Sequence, residues 1–343
     1  MRFLKRFWSK LRILRNMISE IKITIQLIMK NLLTLLLVLL FASGCSRKTE
    51  DEGMYLFTYF KGNGDGLHLA YSADGLNWKE LGNNKVFITP AVGKDKLMRD
   101  PSIVEDKHGV FHMVWTSGWW DRGIGYACSE DLIHWSEQQY IPVMEGFEGT
   151  KNTWAPELFY DCKSDLFYIF WSSTIPGAFP EIPTVENEKG LNHRQYYVTT
   201  KDFKTFSETK LFFEPGFSVI DGAILQQDDR YILFVKNENS LPAEKNIRYT
   251  VNDKPYDFPV SVSEPITGNY WAEGPAPLQV GEYVYVYFDK YIDGKYGAVR
   301  SKDLKSWEDV SDRAVFPKEM RHGTAFRVSK KLFEVLQKEM LIK

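Results

Sequence analysis

From residue 54 onward the chain repeats one pattern of apolar and polar positions. Runs such as VFHMVWTS, LFYIFWSS, RYILFVKN and YVYVYFDK are rich in β-branched and aromatic residues and have the period of strands. A tight polar turn that closes on an aromatic follows them. It reads Ser72-Ala73-Asp74-Gly75-Leu76-Asn77-Trp78, then Ser129 to Trp135, Thr200 to Phe206 and Ser301 to Trp307. A degenerate copy, Ser263 to Tyr270, stands between the last two. Ser or Asp in such a turn caps backbone N–H groups, and the aromatic packs beneath the neighbouring unit. Five copies, 38 to 71 residues apart with about four strands each, predict an all-β, five-bladed β-propeller. KKLFEVLQKEM near the end is the one short helical candidate after residue 53.

The two ends of this region complement each other. YLFTYF and GLHLAYS supply outer strands of a blade without an inner one. His322 to Val328 reads as an inner strand followed by almost nothing. Pairing of these N- and C-terminal strands is therefore expected to close the ring, with residues 54–343 forming a single propeller domain.

Residues 1–45 read differently. The apolar run NLLTLLLVLLFA, residues 31–42, follows Lys30 and precedes Ser43-Gly44-Cys45. A basic n-region, a short h-region and small residues before a cleavage point make a secretory signal. The run is short for a transmembrane helix, which needs about 20 residues. Ala42-Ser43-Gly44-Cys45 resembles the bacterial lipobox, whose Cys is lipidated. Met29 is the expected true start, and residues 46–53 form a polar tether. The expectation is an exported protein held by lipid on Cys45 at a bacterial membrane, on its periplasmic or cell-surface face.

Charge sharpens this division. The chain carries a formal net charge of −2. Residues 1–30 hold eight Lys/Arg and one acid, Glu20, so the remainder has 35 basic and 44 acidic residues, a net of −9. An acidic body without a basic stripe argues against nucleic acid and polyanionic partners. Aromatics make up 15% of the chain, a richness that suits strands and the stacking of sugar faces. With Cys45 lipidated, Cys128 and Cys162 are expected to be unpaired thiols. Cys and His are too scattered for a zinc site.

The candidate chemistry lies at the starts of the inner strands. These read Arg99-Asp100-Pro101-Ser102-Ile103, Trp154-Ala155-Pro156-Glu157-Leu158, Ile220-Asp221-Gly222-Ala223-Ile224, Ala272-Glu273-Gly274-Pro275 and Arg321-His322-Gly323-Thr324. In a propeller the first strand of each blade lines the central axis, so these positions converge there. Ionised carboxylates crowded at an axis cost free energy unless paired, and several together mark a catalytic cluster.

In this order the segments resemble glycoside hydrolase family 43, five-bladed enzymes acting on arabinan and xylan. The likeness covers nearly all of residues 54–328. It implies that Asp100 is the general base, Asp221 adjusts the pKa of the acid, and Glu273 is the general acid. An inverting glycosidase needs a protonated acid and, about 6.5–9.5 Å away, an ionised base that activates water. Glu273 is then expected to have a raised pKa from nearby Asp221, and Asp100 to stay charged beside Arg99. No cofactor is required. The resemblance matches His322 to a channel histidine that in the family often lies near a bound cation or water, which leaves room for a structural cation, calcium or sodium, in the central channel; the alternative is a histidine hydrogen-bonded within the core. Glu157 replaces an Asp common in the family and is taken as structural.

Sugar-stacking candidates are Trp154 and Trp271, beside channel motifs, then Trp115, Trp119 and Trp120. Arg99 and His322 join them as substrate-binding candidates. Residues 175–195, the longest insertion within a blade, are expected to shape the pocket and favour attack at chain ends. The expected partner is a glycan containing arabinose or xylose, met by a monomer, with exo-acting α-L-arabinofuranosidase the first reading and β-xylosidase beside it. Two alternatives differ in class. A retaining fructan-type hydrolase would hold its carboxyls about 5–5.5 Å apart and carry an NDPNG-like segment, which is absent from the sequence. A non-catalytic glycan-binding lipoprotein would not need all three acids.

Overall fold

The computed structural model describes residues 53–341. The signal, the lipobox with Cys45 and nearly all of the tether lie outside the described residues. Five antiparallel sheets form the five blades. The first blade runs from Ala325–Val328 at the axis through Met54–Tyr59 and His68–Ser72 to Lys79–Glu80. The second, third and fifth blades open on Arg99–Glu105, Trp154–Asp161 and Glu273–Val280, and each has four strands. The fourth, Val219–Gln227, Arg230–Asn237 and Asn246–Asn252, has three.

Closure follows the expected route. Ala325–Val328 pairs antiparallel with Met54–Phe57, in the register Met54 with Val328 and Phe57 with Ala325. The bridge from Phe60 to Arg321 extends the seam. Helix Lys330–Leu341 then lays Phe333 and Leu336 into the core between the first two blades. No helix among the described residues is long and apolar enough to cross a membrane.

The aromatic runs are second strands buried on both faces, so successive side chains enter different cores. In Leu166–Ser173, Phe167, Ile169 and Trp171 face the second blade, whereas Tyr168 and Phe170 face the fourth. In Tyr283–Lys290, Val284, Val286 and Phe288 face the fourth blade, and Tyr285 and Tyr287 the first. Apolar burial at roughly 25 cal/mol per Å² makes these interblade cores the main source of stability.

Four of the repeat turns form as expected. Ser129 Oγ accepts from the N–H of Asp131 and of Leu132, while Asp131 Oδ1 accepts from Ile133 and His134. The fourth blade differs from the expectation. Its turn is Asn252 to Phe258, where the Asn252 side chain donates to the carbonyls of Tyr256 and Asp257. Ser263 lies farther along and accepts from Tyr249 N–H, as Ser207 does from Thr199 N–H. Asn252 caps without a hydroxyl, so the Ser/Thr pattern pointed past it.

Two further expectations are corrected. Trp115 is fully buried, with Leu69, Met98 and Met113, and a side chain at Gly125 would collide with its ring. It is a core residue rather than a sugar platform. Cys128 is a free thiol but Cys162 is disulfide-bonded, so only Cys128 fits the expected unpaired state.

Candidate active site

Four of the five axial strands begin with the same irregularity. The pairing register slips by one residue between Arg99 and Ser102, Trp154 and Glu157, Ile220 and Ala223, and Glu273 and Ala276. At the slip sits a residue in the left-handed region: Asp100, Ala155, Asp221 or Gly274, with φ of 52°, 45°, 54° and 63°. Such bulges re-aim side chains, and a non-glycine residue held at positive φ stores strain of about 1–3 kcal/mol. Asp100 and Asp221 are thus equivalent positions turned inward. Glu273 is not their equivalent: it occupies the place of Arg99 and Trp154, one residue earlier.

The neighbouring blades lock these bulges. Thr116 Oγ1 donates to Asp100 Oδ2 at 2.9 Å and accepts from Ala155 N–H. Ser102 Oγ donates to Glu157 Oε2 at 2.7 Å and accepts from Leu158 N–H. Gly274 N–H donates to Asp221 Oδ2 at 2.9 Å, tying that acid to the segment that carries Glu273. Gly274 is also where a Cβ would strike the His322 ring, so glycine is what lets the imidazole reach the axis. Gly222 leaves space for Gln195 and Phe170 in the same way.

Asp100, Asp221, Glu273, His322 and Lys236 meet in one chamber of about 200 Å³, with Arg99, Thr116, Trp119, Trp154 and Glu238 in its lining. All three sequence-predicted acids are therefore brought together. Burial alone would push the Asp100 carboxyl up, but His322, Arg99 and Thr116 outweigh it and bring it down to about 2. The His322 Nδ1 lies 3.4 Å from Asp100 Oδ1, and its Nε2 lies 3.9 Å from Glu157 Oε1. Burial opposes its charge, yet Asp100, Asp221 and Glu157 raise His322 to about 9. Glu157 is pushed up to about 8, chiefly by burial.

Glu273 departs from expectation. Although buried, it is held below the ordinary range by Lys236 at 3.1 Å and Arg321 at 3.3 Å. Asp221 takes the opposite shift, up to about 6, through burial and the charges of Glu273 and Asp100. The elevation expected of Glu273 falls on its neighbour because two cations stand beside Glu273. Lys236 and Arg321 are site residues the sequence reading left unassigned. Lys236 lies on the second strand of its blade, at the place of Thr116 and Asp289, and Arg321 also bonds to Asp289.

The channel cation does not fit these donors. A metal-binding imidazole must be neutral, and His322 is instead the cation of a carboxylate cluster. Among the described residues, no group of three or more His, Cys, Asp or Glu is arranged to hold a metal ion.

The tryptophans divide. Trp119 and Trp154 line the chamber, Trp154 Nε1 donates to Trp119 O, and Arg99 stacks at 4.7 Å on Trp119. Trp120 stands beside Trp154, at 5.8 Å between rings. Trp271 is 40% exposed against Tyr291 and Lys245 and lines neither this chamber nor its neighbour. That neighbouring chamber, about 420 Å³, shares Trp119, Trp154 and Glu238 and is walled by Glu188, Lys189, Leu191 and His193. The insertion 175–195 therefore reaches the pocket, as expected.

Comparison with known proteins adds the relatives. Residues 50–334 match the glycoside hydrolase family 43-related family, described as a probable glycosyl hydrolase domain. An α-L-arabinofuranosidase of Bifidobacterium longum is 32% identical over 89 residues, covering 25% of this chain and 8% of that protein. The chain thus spans a small fraction of the length of that curated relative. Among solved structures, an α-L-arabinofuranosidase from Lactobacillus brevis is 15% identical with a TM-score of 0.50, covering 62% of this chain and 72% of that one. A family 43 protein of a Bacteroides ovatus xyloglucan locus is 20% identical with a TM-score of 0.47, covering 66% and 42%.

Proposed function

Because the chain belongs to the family 43-related glycosyl hydrolases, we propose that it is an exo-acting, inverting glycosidase that removes an arabinofuranosyl or xylosyl unit from a glycan. The observation that carries this reading is the gathering of three acids with unlike proton affinities in one chamber at the starts of the axial strands. Asp100, ionised across the working range, is the base that takes a proton from water attacking the anomeric carbon. Glu273 is the acid that donates to the leaving oxygen. Asp221 shares the proton with Glu273, and titration then belongs to the pair. A leaving oxygen placed at Glu273 draws that proton from the pair, while Lys236 and Arg321 hold the carboxyl in position. Trp154 and Trp119 offer faces for the sugar.

The test is a panel of aryl arabinofuranosides, xylosides and galactosides with plant polysaccharides, using Asp100→Ala as control and reading the product anomer by proton NMR. Hydrolysis with inversion that disappears in the control is expected. Retention, or equal turnover by the control, would overturn the reading. We extend the proposal to an exported monomer held by lipid on Cys45, resting on the sequence pattern alone; with Cys128 free, a lipid thioether on Cys45 and the Cys162 disulfide exclude each other within one chain, so the anchor requires Cys162 to be a thiol in the mature protein. Mass spectrometry of the native protein should find diacylglycerol on Cys45 and light scattering a monomer; a disulfide-linked peptide containing Cys45 refutes the anchor.

A further inference from the structure

The cation beside Glu273 is shared. Lys236, on the second strand of the fourth blade, is 2% exposed and lies between two carboxylates, 3.1 Å from Glu273 Oε2 and 2.6 Å from Glu238 Oε2. It donates a hydrogen bond to Glu273, whereas its contact with Glu238 is an ion pair without hydrogen-bond alignment. Lys245, also 2% exposed, repeats the arrangement, 2.9 Å from Glu238 Oε1 and 3.1 Å from Glu188 Oε2. Glu188, Lys245, Glu238, Lys236 and Glu273 therefore alternate in sign from the insertion to the acid.

The middle of this chain rides on one hairpin. Lys236, Glu238 and Lys245 lie on or beside the loop that joins Arg230–Asn237 to Asn246–Asn252. Glu238 N–H donates to Ser218 O, and Ala272 N–H, one residue before Glu273, donates to Lys245 O. Glu188 arrives from the insertion of the third blade, and Ser240 Oγ of the hairpin also donates to it. The hairpin thus spans from the insertion to the acid of the fifth blade. Apolar residues of the same shape would hold such a loop as firmly, because desolvation offsets much of what buried ion pairs gain. They could not, however, divide a cation between two carboxylates.

We infer that Glu238 and Lys245 are positioning residues for the reaction, dividing Lys236 between Glu238 and Glu273 according to the seating of Glu188 on Lys245. The inference rests on the reading of Glu273 as the acid and deepens it. With Glu188 seated, Glu238 keeps only part of Lys245 and draws on Lys236, so Glu273 holds its proton more firmly. Without Glu188, Lys245 turns to Glu238, Lys236 turns to Glu273, and the acid ionises at lower pH. Burial opposes the charge of Lys236, yet Glu238 and Glu273, then Tyr291 and Asp221, push it well up, so it stays a cation throughout. Glu273 is also faced by Arg321, His322, Asp221, Asp289, Tyr291 and Tyr296. Lys245 is also faced by His193 and the Trp271 ring. All of these stay in place in the variants that test the chain.

The test reads Glu273 directly. In protein labelled with carbon-13 at the glutamate carboxyls, its signal is assigned by its loss in Glu273→Gln, and its midpoint is followed against pH by NMR. Lys245→Met should raise that midpoint by about one pH unit, the lower end of what a nearby charge does. Glu188→Gln should lower it by less, and adding Glu238→Gln to Lys245→Met should cancel the rise. Residues that only support the fold would change the melting temperature and leave the midpoints alone. Should Lys245→Met melt early, Glu238→Gln is compared with and without it, since neither protein leaves Glu238 charged and unpaired; equal midpoints are then expected. Unmoved midpoints in Lys245→Met or Glu188→Gln overturn the inference, as does a Lys245→Met effect that persists alongside Glu238→Gln. Where a glycoside is turned over, the basic limb of kcat/KM should follow the midpoint. Midpoints that move without the limb would refute Glu273 as the acid and keep the charge chain; a basic limb with unmoved midpoints would do the reverse.

Discussion

Replacing His322 with glutamine removes the imidazolium while keeping a side chain able to hydrogen-bond at the axis. An opposite charge 3.4 Å from Asp100 Oδ1 is worth about 5 kcal/mol at an effective dielectric near 20, or roughly three to four pKa units. Thr116 and Arg99 remain, and the amide of glutamine can still donate, so the full amount is not lost. Asp100 should rise by about two units from its value of about 2. In kcat/KM against pH, which reports the free enzyme, the acid limb should move to higher pH by that amount. An acid limb that stays put, or moves lower, refutes the assignment of His322 as the group that keeps Asp100 ionised.

A readout without substrate checks the same linkage. The folded pKa of His322, about 9, lies above the ordinary 6.5. Its contribution to stability is therefore fully present below pH 6.5 and is lost as pH rises through about 9. The shift corresponds to about 3 kcal/mol. Asp100 has the opposite sign: its folded value is depressed, so its contribution is present above pH 3.8 and lost as pH falls toward about 2. These are partly one interaction seen from two partners and do not add. His322→Gln should flatten both flanks of a plot of melting temperature against pH.

Other expectations follow from the same charges. The Asp221–Glu273 pair should set the basic limb of kcat/KM near pH 6, and Lys236→Met, by removing a cation from Glu273, should shift that limb upward; a downward shift excludes Glu273 as the acid. Glu157→Gln mimics the protonated form that burial favours, so above about pH 8 it should melt about 2–4 °C or more higher than the parent, and a lower melting temperature there refutes the buried neutral state. Deleting residues 320–343 removes the axial strand Ala325–Val328 together with Phe333 and Leu336, and should abolish cooperative unfolding by calorimetry; an unchanged melting temperature refutes strand closure.

The blades were legible because their information is local. A second strand buried on both faces must be apolar at nearly every position, and Tyr231 to Val235 or Val284 to Phe288 say so in five consecutive residues. Turns were legible where a hydroxyl caps them, and the fourth was misplaced because Asn252 does the same task by donating to carbonyls. Trp115 was misread for a related reason. Its strand alternates between two cores, and nothing near it in sequence shows that Gly125, across the sheet, makes room for its ring.

The site was legible only as far as the inner strands carry it. Asp100 and Asp221 could be paired by position because each stands at the residue that flips the backbone, and short polar side chains tolerate positive φ better than most. Glu273 could not be phased that way. Its own bulge residue is Gly274, so its carboxyl leaves the strand from the place that Arg99 and Trp154 occupy in theirs. From that place it meets Lys236 on the second strand of the neighbouring fourth blade, whereas Asp100 meets His322. The offset of one residue thus gives two carboxylates on one axis opposite charge partners on different strands. It is why a reading confined to the inner strands placed the acids but reversed the expected shift of Glu273.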